Sequence, residues 1–341
     1  MDNSGSGHMP GQPPPETCHG KRCTCRAAIL LSEIQALADP FYALEDTRMQ
    51  LSGALTALVT PFKNGRVDEE RFREFIEWQI REGINGLVPC GTTGESATLS
   101  HAEHEEVIRI CIDQAKGRVP VIAGAGSNNT REAIGLADFA KRAGADGILM
   151  ITPYYNKPSQ AGIIAHFKAI AAEVSIPTIV YNVPSRTGLN VAPATMARLY
   201  KEIPEVIGVK EATGDLSQIS DVLEQCGEGF ILLSGDDFTI APTMSIGGKG
   251  VISVISNIEP KKTAAMCAAF NAGNMAEGAK LHFELMPLSR ACFVETNPVP
   301  VKTGLALMGR MDLELRLPLV EMLPENLQKL HTALKESGYV A

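Results

Sequence analysis

No stretch of this chain approaches the ~20 consecutive apolar residues that a membrane-spanning helix needs, although 45% of its 341 residues are hydrophobic. Positive charge is in the minority, with 31 Lys and Arg against 39 Asp and Glu, and the net charge of −8 argues against nucleic acid or an anionic membrane as partner. Metal-ligand spacings are missing as well. His101 and His104 share one helix face at i, i+3, yet no His-Glu-x-x-His surrounds them, so a solvated or ligand-contacting face is the expectation. Cys18, Cys23 and Cys25 beside His19 match no zinc pattern. Gly124-Ala-Gly126 lacks the third glycine of a dinucleotide fingerprint, Asn129 standing in its place, and Gly94-Glu-Ser-Ala-Thr98 lacks the second glycine of a nucleophile elbow. Neither a metal nor another cofactor is expected. Cys90, Cys111, Cys226, Cys267 and Cys292 are scattered among apolar neighbours, the pattern of reduced core thiols. These features together predict a soluble protein of a reducing compartment, the cytoplasm.

What is present is a regular alternation that begins late. Residues 1–50 stand apart: Met1 to Glu16 is rich in Gly, Ser and Pro and cannot bury a core, and the apolar run Ala27 to Leu31 is short for a signal segment. This extension reads as disordered, targeting or spurious sequence, with Met49 opening the recognisable domain. From Leu51 onward, apolar strand-like runs start near Ala54, Gly86, Val119, Gly147, Pro177, Val206, Phe230 and Gly250, with helix-period segments between them. Capping residues stand at Asp68, Ser100 and Asp215. Closely spaced βα units without a nucleotide fingerprint predict a (β/α)8 TIM barrel over residues 51–257 rather than an open doubly wound sheet. Residues 258–341 read as helices only, a C-terminal helical appendage too small and apolar to stand free, and expected to pack on the barrel.

In such a barrel the active site lies at the C-terminal ends of the strands. The residues there are mostly hydroxyl-bearing, Gly or Tyr, with one lysine and one arginine. Central among them is Val206-Ile-Gly-Val-Lys-Glu-Ala-Thr-Gly214, a short apolar strand that ends in Lys210. An amine there is a candidate nucleophile, able to form a Schiff base with a carbonyl substrate; the iminium drains electrons and lets a proton leave the adjacent carbon. Tyr181, at the end of the preceding strand, can move that proton. The amides and hydroxyls of Gly91-Thr-Thr-Gly94 can hold a small carboxylate. Strand alternation puts Glu211 on the opposite face from Lys210, where it does not neutralise the amine. Tyr154 and Tyr155 point opposite ways if extended and cannot both face one pocket. Taken singly, each residue has an ordinary explanation: Lys210 as a strand cap that snorkels to solvent, Thr92 and Thr93 as turn residues, Tyr181 as a packing aromatic, Arg186 as a solvated loop charge. Their joint occurrence at strand ends favours the chemical reading.

These residues stand in ordered motifs: Gly91-Thr-Thr-Gly-Glu-Ser96, Thr152-Pro-Tyr-Tyr-Asn156, Tyr181-Asn-Val-Pro-Ser-Arg-Thr-Gly188, Gly208-Val-Lys-Glu-Ala-Thr-Gly214, Leu233-Ser-Gly-Asp-Asp237, Gly250-Val-Ile-Ser253 and Val294-Glu-Thr-Asn-Pro-Val-Pro-Val-Lys302. Through them the chain, from about Leu51 to its C-terminus, resembles the dihydrodipicolinate synthases of the N-acetylneuraminate lyase superfamily. The resemblance implies a class I lyase of lysine biosynthesis that condenses pyruvate with aspartate β-semialdehyde. It implies Lys210 as the Schiff-base lysine and Tyr181 as proton carrier, linked through Thr92 to Tyr155 of a neighbouring subunit. It further implies Thr93 on the pyruvate carboxylate, Gly235 and the Ile252 carbonyl lining the site, and Arg186 on the semialdehyde carboxylate. A dimer unit within a homotetramer follows from the role of Tyr155.

Ser96, His101, His104, Asn128, Glu132 and Tyr154 match positions that bind lysine as a feedback inhibitor in sensitive members of that family; otherwise they line a polar dimer groove. N-acetylneuraminate lyases and other 2-keto acid aldolases share the Lys, the Tyr and the turn and remain an alternative, as does a barrel that binds a keto acid without turnover. Pro184-Ser-Arg-Thr-Gly188 points instead to a short, charged second substrate. Two departures stand out: Met1 to Arg48 has no counterpart in the family, and Thr296 occupies a place where the motif leads one to expect proline.

Overall fold

Eight short apolar segments supply the strands of the computed structural model, which describes residues 49–341. They are β1 (Gly53–Ala57), β2 (Gly86–Val88), β3 (Ile122–Gly124), β4 (Gly147–Ile151), β5 (Thr178–Asn182), β6 (Val206–Glu211), β7 (Ile231–Ser234) and β8 (Gly250–Ser253). The expectations for the N-terminal extension and its cysteines fall, up to Arg48, outside the described residues. β1 pairs in parallel with both β2 and β8, and neighbours pair in parallel from β3 through to β8. β2 and β3 meet through a parallel bridge between Leu87 and Val121. The Leu87 amide donates to Pro120 O, and the Gly124 amide to Pro89 O, each at 2.9 Å. That contact closes the (β/α)8 barrel.

Period-2 alternation sorts the strand side chains into two cores. Leu55, Val88, Ile122, Leu149, Ile179, Leu233 and Ile252 fill the barrel interior. Their sequence neighbours Ala54, Leu87, Ala123, Met150, Val180, Leu232 and Val251 join the larger core beneath the helices. In β6 the alternation slips by one residue, because Thr178 pairs with Val206 but Ile179 pairs with Gly208. Ile207 and Lys210 therefore both face inward, three positions apart. A Cβ at Gly208 would lie 2.1 Å from the Ile231 carbonyl oxygen, so only glycine fits at the slip.

The helices begin where capping chemistry is available. α1 (Glu69–Arg81) starts at Asp68, whose carboxylate accepts the Arg71 amide at 3.1 Å. α2 (His101–Ala115) starts at a reciprocal capping box of Ser100 and Glu103. α3 (Thr130–Ala143), α4 (Gln160–Glu173), α5 (Pro193–Glu202), α6 (Leu216–Cys226) and α7 (Ile240–Ser245) follow their strands, α6 being capped by Asp215. Two small elements have no hydropathy signal: an antiparallel hairpin of Phe62–Lys63 with Arg66–Val67, and a single helical turn, Pro184–Thr187, after β5.

Sequence patterning assigns everything from residue 258 to the C-terminal region. In the structure α8 (Pro260–Asn271) packs on β1 and on the turn after β8, so it serves as the eighth barrel helix. α9 (Met275–Cys292) packs on α8, and α9, α10 (Val299–Leu307) and α11 (Pro324–Glu336) pack on one another. The connection from α9 to α10 crosses the ends of the strands and brings residues 297–302 against the β2 turn. Among the described residues no helix is long and apolar enough to cross a membrane.

Candidate active site

Lys210 ends β6 with its side chain enclosed, 5% exposed overall. Its Nζ stands 4.2 Å from the centroid of the Tyr181 ring, across the strand pair in which Tyr181 and Lys210 are direct partners. Among the described residues this nitrogen makes no hydrogen bond or ion pair. Glu211 points away as alternation requires: its carboxylate accepts from the Asn182 and Gln218 side chains and from the Thr213 amide, and burial raises its pKa. Gly235, at the end of β7, makes room for the lysine. A Cβ there would come within 3.0 Å of Lys210 Cγ and 3.1 Å of its Cε.

The turn after β2 faces the lysine strand and is wound tightly. Cys90 and Glu95 both adopt left-handed backbone conformations, with φ of 57° and 53°. The amides of Gly94 and Ser96 fold back on the Gly91 carbonyl, and that of Glu95 on Thr92 O. The amides of Thr92 and Thr93 donate to nothing among the described residues. Of the array expected to hold a carboxylate, these two amides and the two hydroxyls are what the turn leaves available. Thr92 lines a cavity of about 50 Å³ that reaches Tyr181, and also a larger one of about 460 Å³ that reaches Arg186. Arg186 sits exposed on the helical turn after β5, its Nη2 donating to the Asn297 carbonyl at 3.2 Å. Ile252 is buried in the interior beside Leu233.

Sequence reasoning missed what anchors this turn. Glu95 and Lys302 form an ion pair at 2.5 Å with both side chains fully buried. Lys302 also donates to the Glu314 carbonyl at 2.7 Å, and the second Glu95 oxygen accepts the Arg316 amide at 3.1 Å. The ammonium of Lys302 and the guanidinium of Arg316 lie against the Phe62 ring, 4.3 Å and 4.1 Å from its centroid. Burial pulls the Lys302 pKa below its usual value, while the Glu95 charge pulls it up. The one available signal was Lys302 itself, a single charge inside the otherwise apolar α10.

A second anchor joins the neighbouring strand ends. Asp237 accepts the amides of Val254 and Ile255 at 2.9 Å and 3.0 Å and so ties the β7 loop beside Gly235 to the end of β8 beside Ile252. Burial pushes its carboxyl up to about 6 in spite of those bonds.

The larger cavity is lined by Ser96, His101, His104, Glu132 and Tyr154, five of the six residues singled out as a second site. The sixth, Asn128, donates to the Tyr154 carbonyl at 3.2 Å. Glu132 accepts from the Ser127 hydroxyl and lies 2.8 Å from His101 Nε2, and its carboxylate is held below the usual range by both contacts. Burial drives the His104 imidazole down to about 4, the nearby His101 adding to the effect, so His104 enters the cavity neutral. Tyr155 is not brought to the site within one chain: it is 89% exposed and left-handed, at φ 67°, while Tyr154 turns into the groove.

Residues 50–337 match the dihydrodipicolinate synthetase family. The chain is 68% identical over 290 residues to a 4-hydroxy-tetrahydrodipicolinate synthase of Nitratidesulfovibrio vulgaris strain DP4, an alignment covering 85% of this chain and 99% of the relative. Among solved structures, it resembles a chloride-inhibited dihydrodipicolinate synthase of Acinetobacter baumannii in complex with pyruvate, at 42% identity and a TM-score of 0.84, covering 85% of this chain and all of that one (100%). It also resembles a dihydrodipicolinate synthase of Cyanidioschyzon merolae with lysine bound, at 38% identity and a TM-score of 0.82, covering 85% and 99%.

Proposed function

The chain belongs to the dihydrodipicolinate synthetase family, and from that premise we propose that it condenses pyruvate with L-aspartate 4-semialdehyde to 4-hydroxy-tetrahydrodipicolinate, as a Schiff-base lyase of lysine biosynthesis through diaminopimelate. The observation that carries this reading is the buried Lys210, whose Nζ has among the described residues no partner but the Tyr181 ring, the same ring that shares a cavity with the Thr92 turn. Lys210 attacks the keto carbon of pyruvate and water leaves, giving an iminium. Tyr181 takes a proton from the adjacent methyl, and the resulting enamine carbon adds to the aldehyde. The amino group of the second substrate then attacks the iminium carbon, closing the ring and releasing Lys210. Thr93 and the amides beside it hold the pyruvate carboxylate; Gly235 and the Ile252 carbonyl complete the wall; Arg186 at the mouth takes the carboxylate of the semialdehyde.

Thr92 links Tyr181 to Tyr155 of a neighbouring subunit, which passes protons to solvent. The exposure of Tyr155 in the single chain supports that role, and with it a dimer unit within a homotetramer. The five buried free thiols of the described chain suit a reducing, cytoplasmic setting. The test is a comparison of substrates: kcat/KM is expected to be highest for pyruvate with aspartate semialdehyde, whereas a preference for cleaving N-acetylneuraminate would sink the assignment.

The groove at Ser96, His101, His104, Asn128, Glu132 and Tyr154 takes L-lysine as a feedback inhibitor. The lysine-bound relative from C. merolae supports this. Glu132 offers a charge for the ligand's ammonium, and Tyr154 adjoins Tyr155, giving a short mechanical route to the proton relay. Inhibition at millimolar or lower L-lysine is expected, and flat activity across the titration would count against it.

A further inference from the structure

The loop between α9 and α10 touches both substrate-facing walls through a single residue. Asn297 is 5% exposed. Its Nδ2 donates to Thr93 Oγ1 at 3.0 Å, and its carbonyl oxygen accepts from Arg186 Nη2 at 3.2 Å. Its Oδ1 is buried and has no partner among the described residues. An amide nitrogen can only donate, so in this contact the threonine oxygen accepts and its own proton must go elsewhere. Among the described residues nothing accepts that proton. The Thr93 hydroxyl is thereby left as a donor beside the unused Thr92 and Thr93 amides, the polarity a carboxylate requires.

We propose that Asn297 is a positioning residue of the reaction. Its side-chain amide fixes Thr93 as a hydrogen-bond donor to the carboxylate of the keto acid, and its backbone carbonyl fixes Arg186 for the carboxylate of the second substrate. One residue thus sets the spacing between two anchors for anionic groups, and the site accepts a second substrate whose aldehyde and carboxylate fit that spacing. This inference rests on the reading that Thr93 holds pyruvate.

The two functions of Asn297 separate experimentally, because every residue has a carbonyl but few have a side-chain amide. Asn297→Ala is expected to raise the KM for pyruvate about tenfold, with kcat and the KM for the semialdehyde within about twofold of wild type. Asn297→Asp keeps the shape but turns the donor into an acceptor. It captures the Thr93 proton and places a negative charge near the substrate carboxylate, so its pyruvate KM is expected to exceed that of the alanine variant. In a Thr93→Val background, Asn297→Ala is expected to add nothing further, because its effect passes through the missing hydroxyl. If Asn297→Ala proves too unstable to assay, the near-isosteric Asn297→Asp carries the test.

An unchanged pyruvate KM in both variants overturns the inference, as does a parallel rise in both KM values with a fall in kcat. Additivity with Thr93→Val overturns it as well. Failure of the underlying reading looks different: wild-type protein would form no borohydride-stable pyruvate adduct, or Thr93→Val alone would leave the pyruvate KM unmoved.

Discussion

Replacing Lys210 with methionine is expected to lower kcat by about 10⁴-fold or more while leaving the unfolding free energy unchanged or slightly higher. Methionine keeps the length of the stem that packs against Gly235 and removes only the amine. The sign on stability follows from burial. The Lys210 ammonium has no counter-charge among the described residues, and the Tyr181 ring 4.2 Å away offsets only part of the desolvation. With that result the fold would keep an amine it would be better off without, as expected of the proposed Schiff-base lysine. A variant that stays active, or one that unfolds, would show that this account of Lys210 is wrong.

The opposite is expected of Lys302→Met. There the charge is paired, at 2.5 Å with both side chains fully buried, and removing one partner leaves Glu95 charged in the interior. Such losses run to about 3–5 kcal/mol, measurable by denaturant unfolding. Glu95→Gln combined with Lys302→Met should recover most of that loss, because the double variant buries no net charge. Glu95 also ends the turn that presents Thr92 and Thr93, so Lys302→Met should raise the pyruvate KM in whatever fraction remains folded. A single-variant loss below about 1 kcal/mol would mean the pair is no anchor.

The starts of β2, β4, β6 and β8 coincide with those of the apolar runs, and those of β1, β5 and β7 lie one residue from them, because strands covered on both faces read as continuous apolar runs. α4 and α6 fill intervals between strands that read as helix-period segments, and α9 lies in the region that reads as helices only. The slip in β6 leaves no trace in hydropathy, since Ile207 and Val209 are equally apolar, although Gly208 marks the place. Lys210 and Tyr181 are legible as candidates because strand ends are where barrels keep their chemistry.

The roles of Asn297 and Lys302 are not legible in the sequence because their partners are distant in it, 204 residues away at Thr93 and 207 at Glu95. No local pattern links such positions. Glu95 carries no mark of burial either, since a carboxylate in a Gly-rich turn ordinarily faces water. Simple alternation predicts opposed directions for Tyr154 and Tyr155, but Tyr155 is left-handed rather than extended, and its side chain is exposed.

The central claim is that the Lys210 amine bonds covalently to a keto acid. The direct measurement is to incubate the protein with pyruvate, reduce it with borohydride, digest it and locate the modified peptide by mass spectrometry. The account predicts a carboxyethyl group on the nitrogen of Lys210 and on no other lysine, absent from Lys210→Met. An unmodified Lys210 in protein that still turns over pyruvate, or an adduct on another lysine, would contradict it.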